Sequence, residues 1–183
     1  AAFISGDEIV CDNSLAQADV EVSFVSGLSP YTFIYAIDGI TQSSITTNDN
    51  PYYIKPKQSG VYTLTYFSDA NSSGSINGSA LVTVLESPTA IFATTSDTLS
   101  VLYPSVQLND VSTGNIVAWT WDFGDNTPND FNASPYHVFK DSIGIYQLSL
   151  IVTDNFGCSD TTFKQLWVAD DYWMYIPNSF TPD

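Results

Sequence analysis

The sequence has no arginine and only four lysines, Lys55, Lys57, Lys140 and Lys164, against 20 aspartates and glutamates in 183 residues. A net charge of −16 repels phosphate backbones and anionic headgroups, which excludes nucleic acid and a bare membrane surface as direct partners. It suits a solvated extracellular surface. His137 is the only histidine, so no imidazole pair exists to hold a metal. No Ser or Cys stands in a nucleophile setting such as G-x-S-x-G. We expect no catalysis. No apolar run approaches the roughly 18 residues of a membrane helix, and direct membrane insertion is not expected. No signal peptide is visible, and the chain opens without Met at Ala1-Ala2-Phe3, as the interior of a longer protein would. Helical periodicity is absent throughout.

Cysteine is scarce too. Cys11 and Cys158 lie far apart in sequence and offer no metal-site spacing. Two readings stay open, a disulfide clamping two domains together or two small buried apolar residues.

What the chain does have is apolar and aromatic content, 44% and 14%, enough for packed cores and against disorder. Its patterning has the two-residue period of strands. Val20, Val22 and Phe24 alternate with Glu21 and Ser23. Tyr31, Phe33, Tyr35 and Ile37 form a second set, closed by the hairpin dipeptide Asp38-Gly39. Pro51 and Pro56 bracket Tyr52-Tyr53-Ile54, which makes that run a short or edge strand. Val61 to Phe67 reads as a strand with Tyr62, Leu64 and Tyr66 on one face. Ala80 to Leu85 follows a loose Ser/Gly/Asn loop. In the second half, Trp119, Trp121 and Phe123 alternate with Thr120 and Asp122, so three aromatics face one core. Gly124-Asp125-Asn126-Thr127-Pro128 then ends that strand in turn chemistry, with Asp122 and Asp125 capping backbone N–H groups.

An internal repeat orders these pieces. Ser59-Gly60-Val61-Tyr62-Thr63-Leu64-Thr65 aligns with Ile143-Gly144-Ile145-Tyr146-Gln147-Leu148-Ser149. A Tyr just inside the next-to-last strand, after a Gly turn, matches the tyrosine corner of immunoglobulin-like sandwiches. Tyr62 and Tyr146 thus predict two tandem immunoglobulin-like β-sandwiches, an all-β chain, over residues 1–86 and 87–169, with residues 170–183 beyond them. The short joint Leu85-Glu86-Ser87-Pro88-Thr89 predicts a semi-rigid rod.

Three resemblances extend this reading. Trp121-Asp122-Phe123-Gly124-Asp125-Asn126, Pro135-Tyr136-His137-Val138-Phe139, Gly144-Ile145-Tyr146 and Val152-Thr153-Asp154-Asn155-Phe156-Gly157 resemble, in order, the motifs of the PKD domain, a module of surface and secreted proteins. The resemblance implies packing and hydrogen-bonding roles for Trp121, Phe123 and His137. Ile4-Ser5-Gly6-Asp7, Val10-Cys11, Pro30-Tyr31-Thr32-Phe33 and Ser68-Asp69-Ala70-Asn71 resemble the immunoglobulin-like repeats of long Bacteroidetes surface proteins. Where those repeats often carry a second Cys, Ser72 and Ser73 stand here. The final residues, Tyr175-Ile176-Pro177-Asn178-Ser179-Phe180-Thr181-Pro182-Asp183, resemble the opening of the gliding-motility-associated C-terminal domain, the type B sorting signal of type IX secretion. That resemblance assigns Tyr175, Pro177 and Phe180 to secretion and anchoring. It implies as partners the type IX translocon and an outer-membrane barrel protein that retains type B substrates, beside neighbouring repeats of the same chain.

No cofactor is expected. The one ion the residues suit is a structural calcium, held by oxygens of Asp122, Asp125 and Asp154, although solubility alone accounts for the acidic surplus. The words around Thr98, Ser142 and Thr161 resemble sites that Bacteroidetes O-glycosylate on exported proteins. Trp167, Tyr172, Trp173 and Tyr175 suit either packing on a further domain or stacking on sugars. The expectation is a non-catalytic stalk or spacer at the membrane-proximal end of a large surface protein, attached to the outer membrane, as in a gliding-motility adhesin. The alternative is an accessory module of a secreted polysaccharide-degrading enzyme or protease, and a third reading is a carbohydrate-binding module.

Overall fold

The computed structural model describes residues 1–140 and 143–171, the side chains of 15–17 excepted. The chain divides into two compact units, Ala1–Ser87 and Pro88–Asp183. Each is an immunoglobulin-like sandwich of two sheets. Among the described residues no helix is long and apolar enough to cross a membrane.

The first unit holds strands β1 (Ala2–Ser5), β2 (Glu8–Cys11), β3 (Val20–Phe24), β4 (Tyr31–Ile37), β5 (Ile40–Thr41), β6 (Ile45–Thr47), β7 (Tyr52–Ile54), β8 (Gly60–Ser68), β9 (Ile76–Gly78) and β10 (Ala80–Leu85). One sheet has the order β7-β3-β1-β9. The other runs β2-β10-β8-β4-β5, with β6 also on β4. The alternation on β3 puts Val20, Val22 and Phe24 inside, where they meet Phe33, Tyr62 and Phe67 from the facing sheet. At the β4–β5 turn both Asp38 (φ 48°) and Gly39 (φ 81°) take left-handed angles, as a tight hairpin of this twist requires, and Ile37 pairs with Ile40. β7, bracketed by its prolines, pairs only with β3 and forms the edge of its sheet.

One expected face is corrected. Tyr66 is not inside with Tyr62 and Leu64 but 42% exposed, and Phe67 takes the inner position at 2%. The cause is a bulge. Ile34 pairs with Tyr66 but Tyr35 with Leu64, so Thr65 is an extra residue that reverses the alternation beyond it. The Thr65 hydroxyl donates to the carbonyl of Ile34 across that irregularity, at 3.2 Å.

The second unit holds β11 (Phe92–Thr94), β12 (Thr98–Ser100), β13 (Ser105–Asp110), β14 (Ile116–Asp122), β15 (Tyr136–Val138), β16 (Gly144–Asp154) and β17 (Ser159–Ala169). Its sheets have the orders β11-β13-β15 and β12-β17-β16-β14. The core gathers Phe92, Val106, Leu108, Trp121, Phe123, Phe139, Leu148, Leu150, Val152, Leu166 and Val168 from both sheets.

The repeat found in sequence is a repeat of topology. β8 and β16 both begin at the aligned glycine, and each lies between an antiparallel neighbour before it and the final strand after it. In both units an early strand also pairs in parallel with the last one. Glu8–Cys11 lies along Val82–Leu85, and Thr98–Ser100 lies along Trp167–Ala169.

Candidate functional sites

β14 delivers the aromatic signature to the core. Trp121 is fully buried, its ring edge-on to Phe92 at 5.1 Å, and its indole N–H donates to the carbonyl of Asn132 at 2.8 Å. Trp119 points to the same side but is only partly buried. Its indole N–H donates to Asp110 Oδ2 at 2.7 Å. The sequence expectation that both tryptophans fill the core is corrected for Trp119, whose polar edge is held by a carboxylate instead.

Beyond β14 the chain turns at Gly124 (φ 71°), where a Cβ would lie 2.6 Å from the carbonyl oxygen of Gln147. Close backbone approach therefore demands glycine here. The turn brings Asp125 under the β15 histidine. His137 Nε2 lies 2.8 Å from Asp125 Oδ2, and the two side chains are 11% and 8% exposed. The imidazole is stacked on Phe123 at 3.8 Å and 9°, and meets Phe139 edge-on at 4.7 Å. Desolvation pushes the Asp125 carboxyl up, but hydrogen bonds from the Thr127 hydroxyl and from His137 outweigh it and hold the group below the usual carboxylate range. This node joins the two sheets of the unit. It is a packing element in which both Asp125 carboxylate oxygens are hydrogen-bonded, Oδ1 to Thr127 and Oδ2 to His137.

The other aspartates of this unit act on backbone. Asp122 Oδ1 accepts the N–H of Gly124 at 2.9 Å, and Asp130 Oδ1 that of Asn132 at 2.8 Å. Asp154, 7% exposed, accepts from the N–H groups of Phe156 and Cys158 at 2.8 and 2.9 Å. Each is an aspartate turn of the kind its neighbours Gly and Asn announce. The three calcium candidates are not gathered at one point. Asp122 pairs with Ser149, whereas Asp154 pairs with Ile116 at the other end of β14. Five residues of β16 separate the two places, about 17 Å at strand rise. Among the described residues no group of three His, Cys, Asp or Glu side chains is placed to hold a metal ion.

Tyr62 makes the tyrosine corner in full, its hydroxyl donating to the carbonyl of Gln58 at 2.9 Å. Tyr146 occupies the aligned position with its ring 4.5 Å from Phe139. Thr98 is exposed on β12 beside Trp167, and Thr161 is exposed on β17 opposite Ile151. Ser142 lies outside the described residues, as do Tyr172, Trp173, Tyr175, Pro177 and Phe180. Cys11 and Cys158 are both disulfide-bonded, and neither is free.

Three features were not read from the sequence. Lys164 reaches across to β11 and its loop, 2.6 Å from Asp97 Oδ1 and 2.7 Å from the Thr94 hydroxyl, and hydrogen bonds from the Lys164 ammonium and the Thr94 hydroxyl hold the Asp97 carboxyl below its ordinary value. The outer face of β16 and β17 exposes Ile145, Phe163 and Trp167. In the first unit, Lys55 and Lys57 meet at one cleft with Tyr35. Only the second carries a signal in the sequence, an apolar residue at each alternate position of strands with too many inward partners already.

The model of the PKD domain family matches residues 86–168. Among solved structures, the PKD1 domain of the metalloprotease PrtV from Vibrio cholerae is 33% identical, over 45% of this chain and 96% of that one, with a TM-score of 0.39. The PKD1 domain of Epp from Vibrio anguillarum is 28% identical over 46% and 96%, with a TM-score of 0.40. A Ca2+-stabilized adhesin with which an Antarctic bacterium binds ice is 15% identical over 92% and 49%, with a TM-score of 0.44. No curated protein matches the chain.

Proposed function

From the PKD domain that residues 86–168 form, we propose that this chain is a non-catalytic, load-bearing stalk of a cell-surface protein. A PKD domain and disulfide-bonded cysteines fit an extracellular module. The observation that carries the load-bearing reading is the parallel pairing of an early strand with the last one in both units, β2 with β10 and β12 with β17. With the cysteines reduced, tension on a unit's two ends pulls such strands past each other along their length. All the hydrogen bonds of the pair then resist together, whereas an antiparallel hairpin pulled from its open end loses its bonds one at a time. The tyrosine corner of Tyr62 and the Lys164–Asp97 ion pair fasten loops beside these pairs.

The fuller proposal places the chain at the membrane-proximal end of a gliding-motility adhesin exported by type IX secretion. Its tail, by the resemblance of Tyr175, Pro177 and Phe180, leads into a type B sorting domain. That domain engages the translocon and then an outer-membrane barrel protein. Thr98, Ser142 and Thr161 carry O-glycans in this account.

The test is a native purification. The full-length protein is tagged in its own cells, the outer membrane is gently solubilised, and co-purifying proteins are identified by mass spectrometry. A stoichiometric barrel protein, retained only when the region beyond Asp183 is present, supports the reading. Recovery as a free secreted protein with hydrolase activity overturns it in favour of an enzyme's accessory module.

A further inference from the structure

Positive charge is the scarcest resource of this chain, and half of it stands at one cleft. Lys55 and Lys57, two of four lysines, line a cleft of about 180 Å³ in the first unit with Tyr35, Gln42, Gln58 and Tyr62. The local fold brings them together. Tyr35 and Tyr62 lie on the neighbouring strands β4 and β8 and stack at 5.9 Å and 12°. Ile54 and Pro56 are buried on either side of Lys55, which fixes the crossing from β7 to β8 and leaves both lysines exposed. Lys55 Nζ is anchored by Asp19 at 2.7 Å. The Tyr62 hydroxyl is spent on the carbonyl of Gln58, and the Gln42 amide nitrogen on that of Ile40. The Lys57 ammonium, the Gln58 side-chain amide and the Tyr35 hydroxyl make no hydrogen bond to any described residue, so these donors are available to a ligand.

We infer that this cleft binds one uronate unit, a six-membered sugar ring bearing a carboxylate; the contact is with a single charge at Lys57 and not along a polyanion's length, which the net charge of −16 would repel. The Lys57 ammonium meets the carboxylate. The Tyr35 hydroxyl and the Gln58 amide both donate and accept, as the hydroxyls of a sugar ring do, and the Gln42 amide oxygen accepts. The partly buried Tyr35 ring, backed by the fully buried Tyr62, supplies the apolar wall for the ring's C–H face. A cleft of this size takes one ring. A lone carboxylate side chain of an acidic peptide would satisfy Lys57 and leave the amides and hydroxyl without counterparts. Burial raises the Tyr35 hydroxyl pKa, with Tyr62 and Tyr52 adding to it, so the group stays protonated at neutral pH and keeps its donor. The site is independent of the stalk reading, since a stalk without it would bear load equally well.

The test is titration of D-galacturonate into the isotope-labelled chain, with D-galactose and acetate as controls, following backbone amide resonances. Galacturonate is expected to shift resonances of Tyr35, Gln42, Lys57, Gln58 and Tyr62, with galactose and acetate each weaker by about tenfold or more, the worth of one charge-assisted hydrogen bond or of the ring contacts. Lys57→Glu and Tyr35→Phe should each weaken galacturonate while leaving the dispersion of the remaining resonances intact. Lys140→Glu should change nothing. Equal binding of acetate, equal binding of galactose, stronger binding of a polyglutamate peptide, or shifts scattered over all four lysines would each overturn the inference.

Discussion

The carboxylate of Asp125 lies 2.8 Å from His137 Nε2, beneath an imidazole stacked on Phe123 and edge-on to Phe139. The pair couples the turn after β14 to the opposite sheet, and its value depends on the charge of Asp125. Hydrogen bonds from Thr127 and His137, prevailing over desolvation, hold that carboxyl below its ordinary value. A depressed carboxyl contributes stability that is fully present above the unfolded value, about pH 4, and lost as pH falls through the folded one. Thermal unfolding followed from neutral pH down to about pH 2 should therefore show an acid limb that Asp125→Asn flattens. An unchanged limb in the variant contradicts the role given to this pair. Asp125→Ala, which strands His137 as well, should cost about 1–3 kcal/mol at neutral pH.

Trp121 and Trp119 differ by two positions and share a face, yet only Trp121 is sealed in the core. Trp121→Ala should cost about 3–5 kcal/mol through the cavity and the lost bond to Asn132. Trp119→Ala should cost clearly less, since water already reaches its ring. Urea unfolding of the two variants gives the comparison, and equal losses would contradict the burial difference.

Tyr62→Phe removes only the hydroxyl that reaches the Gln58 carbonyl. The expected loss is about 1 kcal/mol, the net worth of one such bond. The same denaturant experiment measures it, and a neutral result would mean that water replaces the tyrosine at that carbonyl without cost.

The cysteines allow a direct chemical check. A thiol-specific reagent applied to the folded chain should label neither Cys11 nor Cys158, and should label both after reduction and unfolding. Labelling before reduction would contradict the bonded state.

The fold was legible in the sequence to the extent that strands obey a two-residue period. The sets Val20/Val22/Phe24 and Trp119/Trp121/Phe123, the Asp38-Gly39 hairpin and the Gly-x-Tyr repeat all rest on local rules, and all appear in the structure. What failed was non-local. The bulge at Thr65, which swaps Tyr66 for Phe67, is set by the pairing of β8 with β4, and no residue near Thr65 announces it. Trp119 could not be told from Trp121, because alternation gives a side chain's direction and not how far the opposing sheet extends over it. The same limit applies to the acidic residues. Sequence placed Asp122 and Asp154 at hairpin ends, but only the register of β14 against β16 reveals that these are opposite ends. The lysine cleft depends on a crossing strand and a buried proline, a juxtaposition with no motif of its own.

The measurement that bears most directly on the load-bearing account is single-molecule stretching of the chain between reference domains, under reducing conditions. The account predicts two resolved ruptures, each releasing about 300 Å as some 85–95 residues extend at about 3.3–3.6 Å apiece. Leu99→Pro, which breaks the pairing of β12 with β17, should lower the rupture force of one event and leave the other unchanged. Rupture forces unaffected by that substitution, or smooth extension with no resolved rupture, would contradict the claim that the parallel strand pairs carry the load.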